Sequence, residues 1–269
     1  MSVSAQTTVT NDHPFQPVSN MTTAYQNSLI LDTIRSKYIT TFHKDRIIEC
    51  DGFLIYVRPD RVGSEIRQLL QAGYYEITEG ELLWKYLPED VDVIELGAGL
   101  GYISSLIDER LHHDRTHVAL EPNPEITPWL RRTKLLNKSE FDVENMAYSA
   151  TSDTVQLSVR DEFWTGDTVD DKGTTVASDN LKNICDKYGV SLFSLVMDIE
   201  STEYDLLVSE MEFLEERCPF LLVEFHEMDP DRSSYHGELR NSDFDLIERS
   251  DSVYAYRNTS PHFEEDYRK

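Results

Sequence analysis

The feature that most constrains this chain is a glycine-rich turn directly after a short apolar stretch. The sequence "DVIELGAGLGYISS", residues 92–105, predicts a strand that ends in a turn of three glycines and continues as a helix. A strand, a glycine turn and a helix in that order bring the backbone close to a nucleotide-like ligand. The alternative is that the glycines only allow tight packing of the helix on the strand.

Strand and helix patterns alternate along the chain from residue 91 onward. Strands are predicted at 91–96, 116–121, 192–199 and 219–226, with further extended segments at 141–146 and 153–159. Helices are predicted at 100–111, 124–136, 179–188 and 203–217. The stretch 160–179 is polar and is predicted to be an irregular surface excursion, whereas "SVYAYRN", residues 252–258, is expected to close the sheet at an edge. This alternation predicts a doubly wound α/β fold with a mostly parallel sheet.

The region before residue 91 reads as an extension to this fold. "RIIECDGFLIYVRP" predicts a β-hairpin, with strands at 46–50 and 53–58 that turn at Asp51-Gly52. Helices are expected at 23–41, 63–72 and 79–86. The predicted organisation is a tail at 1–22, a helix and hairpin extension at 23–88, a main domain at 89–260 and a second tail at 261–269.

Charge is the unusual bulk property of the chain. Fifty Asp and Glu face 25 Lys and Arg, of which nine are Lys, so the net charge is -25. Such a surface repels nucleic acids and anionic lipid, and we expect no nucleic acid as a partner. The scarcity of lysine favours a halophilic protein, because concentrated salt screens the repulsion between carboxylates.

Other bulk features predict a cytoplasmic protein. No apolar run approaches the roughly 18 residues of a membrane helix, and the first 20 residues lack the pattern of a signal peptide. The three cysteines form no Cys-x-x-Cys pair, so neither a disulfide framework nor a zinc site is indicated. Oligomeric state is left open.

The spacing of the glycines decides between two kinds of ligand. A dinucleotide loop has the form G-x-G-x-x-G, but Tyr102 stands where that pattern needs its last glycine. The pattern G-x-G-x-G with Glu95 before it resembles the first motif of S-adenosylmethionine-dependent methyltransferases. Glu95 suits the ammonium group of that ligand, directly or through water. Glu121, at the end of the next strand, suits a ribose, although an acid there also serves NAD.

Five segments, taken in order from residue 74 to 226, resemble the FkbM-type methyltransferases. They include "YYEITEGELLWKYLPEDVDVIELGAGLGYISSLI", "VALEPNPEITPWLRRTKLLN", "NMAYSATSDTVQLSV", "SLVMDIESTEYDLL" and "PFLLVEFH". The resemblance implies a class I methyltransferase fold and S-adenosyl-L-methionine as cofactor. One departure is Ser201-Thr202, where the family usually has Gly-Ala between its acids. The residues predicted to bind the cofactor are Glu76, Glu95, Gly97, Ala98, Gly99, Gly101, Tyr102, Glu121, Pro122, Asn123, Asn145, Met146 and Ala147.

The reaction implied is methyl transfer to a nucleophile, most simply an oxygen. Asp198 is expected at the ligand-binding edge of the sheet and is our first choice for the general base, with Glu200 second and His226 as an alternative. Glu203 can instead serve only the dipole of its helix. No metal is predicted, although the acids can alternatively bind Mg²⁺. The resemblance points to a hydroxyl or carboxylate on a glycan or small metabolite as acceptor. The alternatives are a non-catalytic binding partner in an assembly complex and an NAD-dependent oxidoreductase.

Overall fold

The computed structural model describes residues 45–157, 173–199, 202–226 and 238–263. The chain divides into two compact units, Met1–Phe42 and His43–Lys269, and every described residue belongs to the second. The helix predicted at 23–41 lies outside the described residues, so the proposed domain boundaries remain predictions. Within the described ranges no helix has both the length and the apolar character needed to cross a membrane.

Strands and short helices make up most of the second unit. The strands are β1 (Ile47–Cys50), β2 (Phe53–Tyr56), β3 (Asp92–Leu96), β4 (His117–Leu120), β5 (Asp142–Glu144), β6 (Ala147–Tyr148), β7 (Thr154–Leu157), β8 (Thr174–Asp179), β9 (Phe193–Met197), β10 (Phe220–Glu224), β11 (Phe244–Ser250) and β12 (Val253–Asn258). The helices are α1 (Ser64–Ala72), α2 (Ile77–Tyr86), α3 (Tyr102–Arg110), α4 (Thr127–Asn137), α5 (Leu181–Tyr188) and α6 (Glu203–Arg217), followed by a 3₁₀ turn at Pro261–Phe263.

A seven-stranded sheet in the order β11-β12-β10-β9-β3-β4-β5 forms the centre of the unit. The pairs β10–β9, β9–β3, β3–β4 and β4–β5 are parallel, and β12 is antiparallel to both of its neighbours. Numbered along the chain within this 7-stranded sheet, the order is 3-2-1-4-5-7-6. A dinucleotide-binding sheet has the order 3-2-1-4-5-6. The reversed last strand, inserted beside the fifth, gives the Rossmann-like methyltransferase arrangement and confirms the predicted fold class.

Helices cover both faces of this sheet. On one face the buried side chains of β3, β4 and β9 pack against α5 and α6, through residues such as Leu181 and Leu206. On the other face Ser104 of α3 reaches Glu95 of β3, and α2 packs against α3. Strands covered on both faces explain the continuous apolar runs at 192–199 and 219–226.

The expected position of the strand at 252–258 was wrong. This segment, β12, lies inside the sheet between β10 and β11, and β11 forms the edge. Sequence reading assigned no strand to β11 because "FDLIERS" carries three charged residues. In the structure β11 also has a register shift between Leu246 and Glu248. Charges and bulges of this kind are typical of edge strands, where they discourage pairing with another chain.

The excursion predicted at 160–179 also contains a strand. Residues 158–172 lie outside the described residues, but β8 pairs with β6 and with β7 in a three-stranded sheet. Its sequence "TTVASD" is mostly small and polar, and only Val176 and Ser178 are buried. Backbone pairing rather than an apolar face therefore makes this a strand, which is why alternation of hydrophobicity did not reveal it.

The predicted hairpin is confirmed, and the amide side chain of Asn137 binds it to α4. Strands β1 and β2 pair antiparallel around Asp51 and Gly52, which have φ of 46° and 87°. The backbone N–H of Leu54 donates to Oδ1 of Asn137 at 2.8 Å, and Nδ2 of Asn137 donates to the Leu54 carbonyl at 3.1 Å. The last residue of α4 thus pairs with β2 as a further strand would.

Replacement of Asn137 by alanine is expected to lower the free energy of unfolding by about 2 kcal/mol, because the backbone groups of Leu54 lose both partners. Urea denaturation measures the change. Asn183→Ala is the matched control, since this exposed asparagine of α5 bonds only locally to Asp179, and it should change stability by less than about 0.5 kcal/mol. Equal effects of the two variants would contradict the role given to Asn137.

Candidate active site at the carboxyl edge of the sheet

The predicted ligand loop lies where the strand order reverses direction, between β3 and β9. Gly97 has φ of 91°, and a Cβ placed on it would stand 1.8 Å from the carbonyl oxygen of Asp198. The backbone N–H of Asp198 donates to the Leu96 carbonyl at 2.9 Å, which holds the two strand ends together. Ligands of open α/β sheets bind at this reversal point, and the first glycine is required there by close backbone contact.

The later part of the loop serves helix packing. Gly101 has φ of 86°, and a Cβ on it would meet Leu130 Cδ1 of α4 at 2.6 Å. Ala98 is buried against Leu130 in a small apolar cluster. Tyr102 is also buried, and its hydroxyl donates to Asp51 of the hairpin at 3.1 Å. The structure therefore directs Tyr102 toward the hairpin rather than toward the loop.

Glu121 is the acidic side chain most directly bound to the loop. Its Oε2 accepts the backbone N–H of Gly99 at 2.9 Å, and its Oε1 accepts the N–H of Asn123 at 2.7 Å. Burial raises the pKa of Glu121 to about 7, although these two hydrogen bonds oppose the shift. Two amides thus fix the carboxylate in place, and each oxygen keeps a second lone pair for a ligand.

The segment after β5 closes the same end of the site. Nδ2 of Asn145 donates to the carbonyls of Glu121 and Pro122 at 2.9 and 3.0 Å. Met146 packs against the main core, and Ala147 begins β6. The structure therefore brings the predicted second and third segments together beside the glycine loop.

Glu95 lies below the loop in a buried polar pair. Its Oε1 accepts the hydroxyl of Ser104 at 2.9 Å, and its Oε2 lies 3.0 Å from Nε2 of His117. Glu95 and His117 are 2% and 4% exposed. Both oxygens thus have partners within the protein, and the contact of Glu95 with a ligand stays a prediction.

Two carboxylates at the start of α2 lie on the other side of the site. Glu76 precedes the helix in a left-handed conformation with φ of 50°, and burial raises its pKa, against a hydrogen bond from Tyr75. Glu79 is buried one turn further on, and burial together with Glu76 and Asp198 raises its pKa. Sequence reading missed Glu79, which lies three residues after Glu76 in the first turn of α2.

A histidine between two carboxylates occupies the ends of β9 and β10. Nε2 of His226 lies 3.4 Å from Oδ1 of Asp198, and its Nδ1 lies 3.0 Å from Oε1 of Glu203. Glu203 is fully buried, so it does more than favour the start of its helix. Glu224 accepts the hydroxyl of Ser252 at 2.7 Å and stands beside the pair. The remaining predicted catalytic residue, Glu200, lies outside the described residues.

Known proteins resemble this chain in fold. No family model matches it, and no curated protein matches it. A Streptococcus agalactiae protein of the NADB-Rossmann superfamily aligns with TM-score 0.41 and 10% identity over 66% of this chain and 65% of its own. TYW2 from M. jannaschii, solved with AdoMet, aligns with TM-score 0.39 and 12% identity over 78% of this chain and 82% of its own. The complex of aTrm5 with tRNALeu aligns with TM-score 0.42 and 14% identity over 78% of this chain and 50% of its own. The alignments thus span less than two thirds of the first and third proteins.

The expectation that nucleic acid is excluded as a partner was wrong. Among the solved structures of similar fold, aTrm5 holds tRNALeu and another is a tRNA methyltransferase from M. jannaschii. Others are described as rRNA methylases. A net charge of -25 describes the whole chain, whereas contact with phosphates depends on the local charge of one surface.

Proposed function

We propose that this protein is an S-adenosylmethionine-dependent methyltransferase of the FkbM type that methylates an oxygen of its acceptor. The observation that carries the proposal is the Glu121 carboxylate, bound by the amides of Gly99 and Asn123 at the reversal point of the sheet. The ordered segments between residues 74 and 226 support the finer assignment. The sheet order with its reversed strand favours a methyl donor over NAD.

The donor end of the site is built from fixed backbone and one carboxylate. Gly97 lets the ends of β3 and β9 approach closely, the Gly99 amide holds Glu121, and Glu121 offers its remaining lone pairs to the two hydroxyls of a ribose. Asn145 holds the backbone of Glu121 and Pro122 where the base of the ligand would lie. When bound, the donor supplies an electrophilic methyl group on a sulfonium. The chain's own part is alignment of the acceptor and removal of its proton.

Proton removal is assigned to the group formed by Asp198 and His226. A proton on Nδ1 of His226 is donated to Glu203, which leaves Nε2 basic and facing Asp198. The acceptor O–H proton passes to the Asp198 carboxylate as the new O–CH₃ bond forms and the C–S bond breaks, with its electron pair left on sulfur. Glu203 is a positioning residue in this scheme, because it reaches the acceptor only through His226.

Calorimetry with S-adenosylmethionine is the direct test of donor binding. We expect one site, which Glu121→Ala weakens by on the order of 100-fold because two backbone amides and the ribose lose their acceptor. Glu125→Ala, which removes a nearby exposed acid, serves as the matched control and should bind normally. Absence of binding at every salt concentration would favour the non-catalytic binding partner instead.

Donor binding is also expected to depend on pH through Glu121. With a pKa of about 7 this carboxyl is mostly protonated at pH 6 and mostly ionised at pH 8. Ribose hydroxyls donate to the ionised form, so the affinity should be about tenfold weaker at pH 6 than at pH 8. Calorimetry at both pH values measures the ratio. Glu121→Gln should bind weakly with a ratio near one, and a wild-type ratio near one would contradict this role.

The proposed acceptor is a hydroxyl or carboxylate on a glycan or small metabolite. Mass spectrometry of glycans, metabolites and RNA from cells with and without the gene would identify it, through the loss of one CH₂ increment from one class. Ser201-Thr202, where the family usually has Gly-Ala, is the departure most relevant to acceptor choice. If only RNA loses a methyl group in cells without the gene, the acceptor is RNA and the proposed acceptor class is wrong.

A further inference from the structure

The carboxylates near the ends of β9 and β10 carry more negative charge than the imidazole of His226 can neutralise. Asp198, Glu224 and His226 each place one ligand atom within 4.8 Å of the other two. Glu76 and Glu79 lie near this group, and their pKa values are raised by burial first and by the charges of Asp198 and Glu224 in addition. Glu203 joins them through His226. Across the described residues, His226 is the basic side chain that forms ion pairs with this cluster. Carboxylates grouped in a partly buried site require a counter-charge.

Glu203 gives a second, independent indication that this region suits a cation. Its side chain is 1% exposed, and Oε1 is directed at Nδ1 of His226. Its Oε2 is buried and has no hydrogen-bond partner within the described part of the chain. A fully buried carboxylate aimed at a histidine is the usual outer support of a metal-bound imidazole, since it fixes the ring and raises its basicity.

Nε2 of His226 and Oδ1 of Asp198 face each other at a distance that suits two ligand atoms of one ion. If Nδ1 donates its proton to Glu203, Nε2 carries a lone pair that faces a carboxylate oxygen 3.4 Å away. Two acceptors at that distance repel unless a proton or a cation lies between them. Ligand atoms bound side by side to one small divalent ion stand about 3 Å apart, since each bond is about 2.1 Å long.

We infer that Asp198, Glu224 and His226 bind a divalent transition-metal ion, with Glu203 orienting the imidazole from behind. One ligand atom from each of the three residues lies within 4.8 Å of the other two, so small side-chain rotations complete the set. A mixture of one imidazole and two carboxylates suits ions such as Mn²⁺, whereas Mg²⁺ and Ca²⁺ prefer oxygen alone. Three protein ligands leave coordination positions for water or an acceptor oxygen.

Titration of the full chain with Mn²⁺, in about 0.15 M salt to screen weak surface binding, tests the inference without any methyl donor. Electron paramagnetic resonance should show one tight site, with pulsed spectra that carry the nitrogen modulation of a bound imidazole. His226→Gln should abolish that modulation, and Glu203→Gln should weaken binding by about 10- to 100-fold. Asp205→Asn, an exposed acid on the same helix as Glu203, is the matched control and should bind as the wild type does.

Absence of a tight Mn²⁺ site in a folded wild-type chain overturns the inference, as does a site that His226→Gln leaves intact. Circular dichroism confirms that each variant is folded, and Glu224→Gln provides a second ligand variant if His226→Gln is not. A His226 imidazolium that donates to both carboxylates is the competing arrangement, and nitrogen NMR shifts would reveal it. If the chain binds S-adenosylmethionine but not Mn²⁺, the proposed function stands and the metal site is rejected. If it binds Mn²⁺ but not S-adenosylmethionine, the metal site stands and the proposed function is rejected.

Discussion

Gly97→Ala is expected to unfold the carboxyl edge of the sheet and to abolish donor binding. The new Cβ would stand 1.8 Å from the Asp198 carbonyl oxygen, and φ is 91° at this position. The opposing atom belongs to the backbone of the neighbouring strand, so no side-chain rotation relieves the overlap. We expect a loss of about 4 kcal/mol or more in the free energy of unfolding. Urea denaturation and calorimetry with S-adenosylmethionine measure the two effects.

Gly189→Ala separates the overlap from the conformational cost of a left-handed residue. Gly189 ends α5 with φ of 69°, and a Cβ on it would meet no heavy atom within 4 Å. This variant should lose only about 1 kcal/mol and bind the donor normally. If the two alanine variants behaved alike, close approach of the strands would not be the reason for glycine at 97.

Asp198→Asn is expected to retain donor binding and to lose turnover by a factor of about 10² to 10⁴. The backbone of Asp198 contacts Gly97 and continues the sheet, and the substitution leaves both interactions in place. The amide cannot accept a proton, and it removes the negative charge that lies 3.4 Å from Nε2 of His226. Calorimetry and single-turnover methyl transfer to the identified acceptor give the two values.

Asp205→Asn provides the comparison for Asp198→Asn. Asp205 is also acidic and lies in the first turn of α6, but it is exposed. Turnover should change by less than about twofold, because loss of an exposed charge at a helix start affects mainly stability. A turnover of Asp198→Asn within tenfold of the wild type would remove Asp198 from proton transfer.

Sequence reasoning succeeded where local chemistry and burial pattern act together. The Asp51-Gly52 turn, the strand before Gly97 and the helix at 203–217 lie where they were predicted. It failed at β8 and β11, whose side chains are too polar to show a buried face. Those strands exist because other strands offer backbone partners: β11 pairs with β12, the next strand in the chain, and β8 pairs with β6 and β7.

The candidate site follows the same division. The edge of the sheet and the acids at its strand ends could be read from spacing, because parallel strands place their carboxyl ends together. The hydrogen-bond and ion-pair partners of those acids could not be predicted from spacing. His117 for Glu95, the Gly99 amide for Glu121 and Glu203 for His226 are separated by about twenty residues each.

The sequence alone determined that this is a doubly wound α/β chain whose glycine loop faces an acidic strand edge, because hydrophobic period and glycine spacing are local properties. Only the tertiary structure decided which acids share one region and which are already satisfied. It directed Tyr102 away from the loop, placed Glu79 beside Glu76 and set His226 between Asp198 and Glu203. The physical reason is that electrostatic and hydrogen-bond partners are chosen by distance in space, and the fold sets that distance.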